Sequence, residues 1–283
     1  MSTATSCSDK TGRLDRSREL ARRVRLGALS MVHKAGASHI GTCLSMSDLL
    51  ACLYSFGMKV DPAKPADAGR DRFVLSKGHG AAGVYAVLAE SGFFPRDWLE
   101  TYCADGGKLA GHITHHGVPG VDFSSGSLGH GLSVAAGMAL AAKRDGAAWK
   151  AFCLLSDGEC DEGSIWEAVL FAPHHQLDNL VVLVDFNKIQ SFGTVKEVLD
   201  LDPFADKWRA FNWGVREIDG HDHEQIAGAL DALPFVKGRP SVIIAHTVKG
   251  KGVSFMENKL LWHYRSPDAG QLAQAKSELE VRA

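Results

Sequence analysis

Apolar and polar positions along the 283-residue chain follow two rhythms. From about Arg16 to Lys34, Leu20, Val24, Leu26, Leu29, Met31 and Val32 recur at helical spacing and predict an amphipathic helix. "AGASHIGTCLS" reads as a loop, and Met46 to Phe56 as a helix that Ser47 and Asp48 open. Short apolar runs then predict strands: "RFVLS" (72–76), "AFCLLS" (151–156), "NLVVLVDF" (179–186), "GVREID" (214–219) and "SVIIAHT" (241–247). Between them lie helical segments: an Ala-rich one from "KGHG" (77–80) to about Ser91, a small-residue one within 128–146, Ser164 to about His175, Pro203 to Phe211, and 222–233. The stretches 61–71 and 103–127 are loops, the first rich in Pro and Asp, the second in Gly and His.

Most of these strands are apolar almost throughout rather than alternating, which is what a strand covered on both faces needs. Strands that alternate with helices predict an α/β fold, a parallel β-sheet with helices on both faces. One domain over residues 1–283 is expected, with 1–15 disordered and 266–283 a helical tail.

Composition changes this picture little. The hydrophobic fraction of 45% suits a globular core, and a net charge of −2 gives no reason to expect nucleic acid or a membrane surface. No apolar run approaches the roughly 20 residues of a membrane span, and the N-terminus lacks the apolar core of a secretory signal. The six cysteines form no CxxC pair and read as free thiols of a cytoplasmic protein.

In parallel sheets ligands bind beyond the C-terminal strand tips, so the residues that follow each strand carry the chemistry. "RFVLS" is followed by "KGHG", "AFCLLS" by "DGECDEG", "NLVVLVDF" by "NKIQ" and "SVIIAHT" by "VKGKG". Asp157 and Asn187 end two strands joined by one helix, which a right-handed crossover makes neighbours. A carboxylate and an amide oxygen there are hard ligands suited to magnesium or calcium, with room left for a diphosphate. Gly158 would let the backbone approach that anion closely. On its own, "DG" after a strand is a turn signal.

Among the 13 histidines, His115, His116, His221 and His223 suggest zinc, but no Cys or acidic set in the sequence completes a tetrahedral site. His33, His174, His175 and His246 read as structural.

"SDG" followed by a strand ending "FNK" resembles the thiamine diphosphate motif, with Ser156 and Phe186 departing from its usual Gly and Asn. "GASHIGTCLS" (36–45), "DRFVLSKGHG" (71–80), "GHITHHGVPGVDFSSGSLGHGLSVAAGMALA" (111–141) and "KGKGVSFMEN" (249–258) together resemble the N-terminal region of transketolase, in order from about residue 20 to 265. The resemblance implies the diphosphate-binding domain of the thiamine diphosphate-binding fold. It implies a metal, Mg2+ with Ca2+ or Mn2+ as substitutes, on Asp157, Asn187 and the Ile189 carbonyl. It places thiamine diphosphate against His79, Gly126, Ser127, Leu128, Asp157, Gly158, Glu159, Asn187 and His263, and makes His39, His79, His112 and His263 the catalytic histidines. Glu162 would stand at a subunit interface. His130, Ser191 and Tyr264 depart from the family pattern.

A whole transketolase is more than twice this length. The pyrimidine domain, with the glutamate that activates the cofactor, has no counterpart here. The resemblance therefore implies a two-chain transferase: an N-terminal subunit that passes a two-carbon ketol unit from a ketose or ketose phosphate to an aldose or aldose phosphate. A C-terminal subunit would supply the pyrimidine domain and catalytic glutamate, in an α2β2 heterotetramer. The rival readings are the α subunit of a 2-oxo-acid dehydrogenase and a non-catalytic cofactor-binding subunit.

Overall fold

The computed structural model describes residues 7–281. Its strands are β1 (Arg72–Leu75), β2 (Ala151–Ser156), β3 (Leu180–Phe186), β4 (Gly214–Asp219) and β5 (Ser241–His246). They form one sheet in the order β1-β2-β3-β5-β4, and every pairing is parallel. Among the described residues the helices are α1 (Cys7–Ala35), α2 (Ile40–Ser45), α3 (Ser47–Cys52), α4 (Ala81–Glu90), α5 (Gly131–Arg144), α6 (Gly163–His174), α7 (Val195–Val198), α8 (Phe204–Ala210), α9 (His223–Asp231) and α10 (Ala269–Val281).

Successive strand residues point to opposite faces, so each apolar run feeds two cores. Phe73, Leu75, Phe152, Leu154, Val181, Leu183 and Ile243 pack with α1 to α4, α9 and α10. Val74, Cys153, Leu155, Val182, Val184, Val242 and Ile244 pack with α5, α6 and α8. The connections follow the right-handed rule: steps across the sheet in one direction put α5, α6 and α8 on one face, and the backward step from β4 to β5 puts α9 on the other.

Three elements differ from expectation. The first helix begins at Cys7, within the stretch expected to be disordered. Arg13, further along the same stretch, ties the helix to its neighbours: its guanidinium pairs with Asp231 of α9 at 2.5 Å and lies 4.7 Å from the Phe56 ring centre. Residues 1–6 lie outside the described residues. The segment read as a loop before Met46 contains α2, whose six residues are all buried. Its polar residues bury because they hydrogen-bond inward: Ser45 Oγ donates to the Thr42 carbonyl at 3.0 Å and to Asp185 at 2.5 Å. The helix that Ser47 opens changes after Cys52 to a wider π turn over Leu53–Gly57.

Of the cysteines whose side chains are described, Cys43, Cys52, Cys153 and Cys160 are buried free thiols and Cys103 is exposed. No helix among the described residues is long and apolar enough to cross a membrane.

Candidate active site

The tips of β1, β2, β3 and β5 converge on a cavity of about 240 Å3. Ser156 pairs with Asp185 in the β2–β3 register, so Asp157 and Asn187 leave the sheet side by side. Asp157 opens a short 3-10 turn over Gly158–Asp161, and its carboxylate accepts from the Gly158 amide at 2.8 Å and from the Lys188 amide. That second bond ties the two strand tips together. Lys188 reaches it by adopting a left-handed φ of 68°, a conformation costly for a non-glycine residue and held here by its neighbours. A Cβ on Gly158 would fall 2.6 Å from Gln190 Cβ, so the Asp157 turn closes against the 187–191 loop only with glycine there.

A buried ion pair underlies the site. Lys77, just after β1, and Asp185 in β3 are both fully buried and bonded to each other. Asp185 also accepts from Ser45 Oγ and Thr247 Oγ1, and from Asn187 Nδ2 at 3.3 Å. Two bonds set the Asn187 amide: its nitrogen faces Asp185, and its Oδ1 accepts from the Ile189 amide at 3.2 Å, which leaves that oxygen one further lone pair.

The cavity wall carries a second cation, Lys249, which the motif "VKGKG" contains but does not single out. Its ammonium donates to the Ile189 carbonyl at 2.8 Å and to His263 Nδ1 at 2.9 Å. Burial pulls the Lys249 amine down to about 8, against the opposing attraction of Asp157. Burial and the charge of Asp185 push the Asp157 carboxyl up to about 6. A buried carboxylate met only by backbone amides, an oriented amide oxygen and a carbonyl already facing a cation are hard oxygen donors. Among the described residues no group of three His, Cys, Asp or Glu side chains is arranged to hold a metal. A cation at this cavity would use the mixed carboxylate, amide and carbonyl set instead.

His39, His79, His112 and His263 come together from four segments. The His39 ring centre lies 5.0 Å from His79, 6.2 Å from His112 and 5.1 Å from His263. His39 sits at the mouth of α2 with φ of 71°, anchored by its amide to the His263 carbonyl at 2.9 Å. Burial pushes His39 down to about 4, His263 to about 3 and His79 well below its ordinary value. These three imidazoles are neutral at physiological pH, each able to donate one hydrogen bond and accept another. With Nδ1 of His263 accepting from Lys249, its proton resides on Nε2.

The other anticipated residues fall in different places. Gly126 and Leu128 line the cavity, whereas Ser127 is exposed outside its lining. The Glu159 side chain turns inward: it accepts from Ser76 Oγ, from the Gly129 amide at 2.9 Å and from the Ser156 amide at 3.2 Å, clamping the loop before α5. Glu162 is exposed at the start of α6. Of the unusual residues, Phe186 stacks on Phe204 with ring centres 5.3 Å apart, and Tyr264 donates to the Ser191 carbonyl at 2.6 Å, so the departures at 191 and 264 form one contact.

His221 and His223, for which sequence spacing offers no acidic partner, do share one: both bond Asp48, at 2.7 Å and 3.1 Å. Arg25 fills the remaining side of that carboxylate, so the cluster is a buried ion network and not a zinc site.

A parallel sheet that gathers an Asp–Asn pair, a lysine and a histidine cluster at its tips defines an α/β cofactor-binding domain. Residues 16–282 match the family described as transketolase, thiamine diphosphate binding domain, and the chain belongs to that family. It is 43% identical over 257 residues to the 6-deoxy-6-sulfo-D-fructose transketolase subunit SqwG of Clostridium sp. (strain MSTE9), covering 91% of this chain and 94% of that protein. It is 43% identical over 254 residues to an apulose-4-phosphate transketolase subunit of Phocaeicola vulgatus, covering 90% of each. The crystal structure of transketolase from Campylobacter jejuni superposes with a TM-score of 0.88 at 30% identity over 94% of this chain. The chain spans only 43% of that transketolase, whereas it matches the two subunit proteins nearly end to end. It is of the N-terminal subunit type found in split transketolases.

Proposed function

We propose that this chain binds a magnesium–thiamine diphosphate pair and, with a second polypeptide, transfers a two-carbon ketol unit from a ketose or ketose phosphate to an aldose or aldose phosphate. The observation that carries this reading is the meeting of Asp157, Asn187 and the Ile189 carbonyl in one cavity with His39, His79, His112, His263 and Lys249. Asp157, Asn187 and Ile189 would hold the cation. Gly158, His79, His263 and Lys249 would face the diphosphate, and Gly126 and Leu128 the rings. When bound, thiamine diphosphate supplies a carbon nucleophile and an electron sink for cleaving a bond next to a carbonyl.

The chain's own contribution is orientation. Neutral imidazoles can hold sugar hydroxyls and a carbonyl oxygen, or pass a proton between them, without repelling a cationic ring. The names of the subunit relatives, which specify sulfofructose and apulose phosphate, support ketose donors of varied kind and a partner chain. We extend this to an α2β2 assembly in the cytoplasm.

The test is reconstitution with the partner chain. Thiamine diphosphate binding should require a divalent cation, and ketol transfer should require both chains. Normal turnover by this chain alone, or decarboxylation of a 2-oxo acid by the pair in place of ketol transfer, would overturn the proposal.

A further inference from the structure

The turn after β5 that carries Lys249 is pinned from behind by a side chain that lines no part of the cavity. The Val248 amide donates to His221 Nε2 at 2.8 Å. A backbone N–H can only donate, so Nε2 is bare and the ring's proton is on Nδ1. There it meets Asp48 Oδ2 at 2.7 Å. Asp48 cannot swing away, because Arg25 grips both its oxygens, at 3.0 Å and 2.5 Å, and His223 holds one at 3.1 Å. Arg25 and Asp48 are buried, and the His221 side chain is 10% exposed.

Val248 sits between two residues with side chains committed to the site. Thr247 bonds Asp185, and Lys249 bonds the Ile189 carbonyl and His263. The Gly250 amide reaches the Gly41 carbonyl at 3.0 Å, and a Cβ on Gly41 would lie 3.1 Å from Lys249 Cγ, so the lysine stem runs in a tight channel. A shift of the Val248 peptide is carried by that stem to the ammonium. Displacements of about 1 Å at a positioning group can cost on the order of a hundredfold.

We propose that His221, locked in one tautomer by Asp48, is a positioning residue for Lys249: it fixes the Val248 peptide and thereby the ammonium at the anion side of the cavity. The consequence for cofactor affinity rests on the function proposed above; the positioning of Lys249 does not. His221→Leu removes both bonds. His221→Asn keeps a donor for Asp48 but cannot reach Val248, and covers the case in which the leucine variant fails to fold. His221→Gln places an oxygen near the position of Nε2.

Two readouts separate the outcomes. In the free chain, amine acetylation of Lys249, followed by peptide mass spectrometry, should quicken about fivefold or more in His221→Leu and His221→Asn and stay within about twofold in His221→Gln. In the two-chain assembly, calorimetric affinity for thiamine diphosphate with magnesium should fall about tenfold in His221→Asn, yet hardly fall further when His221→Asn is added to Lys249→Met. An unchanged acetylation rate in His221→Asn, or losses that add in full with Lys249→Met, would overturn the proposal. Acetylation rates in the expected order with no cofactor bound by the wild-type assembly would uphold the positioning role and refute the functional reading.

Discussion

Replacing Asp185 by Asn tests the foundation of the site. Lys77 and Asp185 are both fully buried, and the carboxylate also receives Ser45, Thr247 and Asn187. Burial alone would raise the Asp185 pKa. The Lys77 ammonium and the two hydroxyls outweigh it and hold the group below its ordinary 3.8. Asp185→Asn keeps the volume and leaves the ammonium of Lys77 without a countercharge. Breaking one half of a buried pair costs about 3–5 kcal/mol. For a chain of this size that is a melting temperature lowered on the order of 10 °C. Urea unfolding at neutral pH is the assay. Lys77→Met combined with Asp185→Asn should recover about half the loss, since no charge is then stranded. Because the folded pKa is depressed, the Asp185 contribution is present above about pH 4 and is lost as pH falls through the folded value, so wild type and variant should converge in acid. The same substitution removes the charged acceptor behind the Asn187 amide, and outer partners of a ligand typically govern about 10- to 100-fold of metal affinity. A loss below about 1 kcal/mol, or a double variant no better than Asp185→Asn, would refute the reasoning.

Asp157→Asn should act in opposite directions on binding and stability. The fold raises the Asp157 pKa to about 6, so ionisation is disfavoured in the free chain. That cost is absent below pH 3.8 and complete above about 6, and a shift of about two units corresponds to about 3 kcal/mol at most. The variant should therefore unfold at higher urea than wild type at pH 7.5 and not at pH 3.8, while cation-dependent cofactor binding is lost. Gly78→Ala should cost about 3 kcal/mol or more by chemical denaturation, because its Cβ would lie 2.2 Å from the Ser125 carbonyl oxygen. Tyr264→Phe should change stability by less than about 1 kcal/mol, since the contact to Ser191 is exposed and loses one hydrogen bond.

The sheet is legible in the sequence because its signal is local. Unbroken apolar runs such as Leu180–Val184 declare a strand covered on both sides, and the residue after each run then falls at a tip. Asp157 and Asn187 follow from that rule and need no long-range information beyond handedness. What escapes is polarity that is buried. Thr42 and Ser45 make α2 look like a loop, yet they are satisfied by Lys77, by Asp185 and by a carbonyl of the same helix. Asp48 reads as a helix-opening acid, but it is the shared partner of Arg25, His221 and His223, distant in sequence and joined only by the packing of α1, α3 and the start of α9 with the turn before it. Lys249 lies in a polar motif after a strand, the one signal that could have found it. Its role depends on the Ile189 carbonyl and His263, which a spacing rule does not bring together.

The arrangement of acids at the cavity bears on the second chain proposed above. The carboxylates in its lining are Asp157 and Glu159. Asp157 is committed to the Gly158 and Lys188 amides, and Glu159 to Ser76, Gly129 and Ser156. Using either as a proton donor would open the strand-tip junction or the loop before α5. His39 and His263 do not supply an imidazolium acid at neutral pH, since burial holds them near 4 and near 3, and the charge of Lys249 opposes protonating either. Nor can Lys249, whose ammonium is engaged by two acceptors. Both acids and the lysine of this wall are thus spent on holding the cavity's shape and charge. Under the proposed function, an acid with freedom to exchange a proton would enter from the open side, which is the side a partner chain would cover.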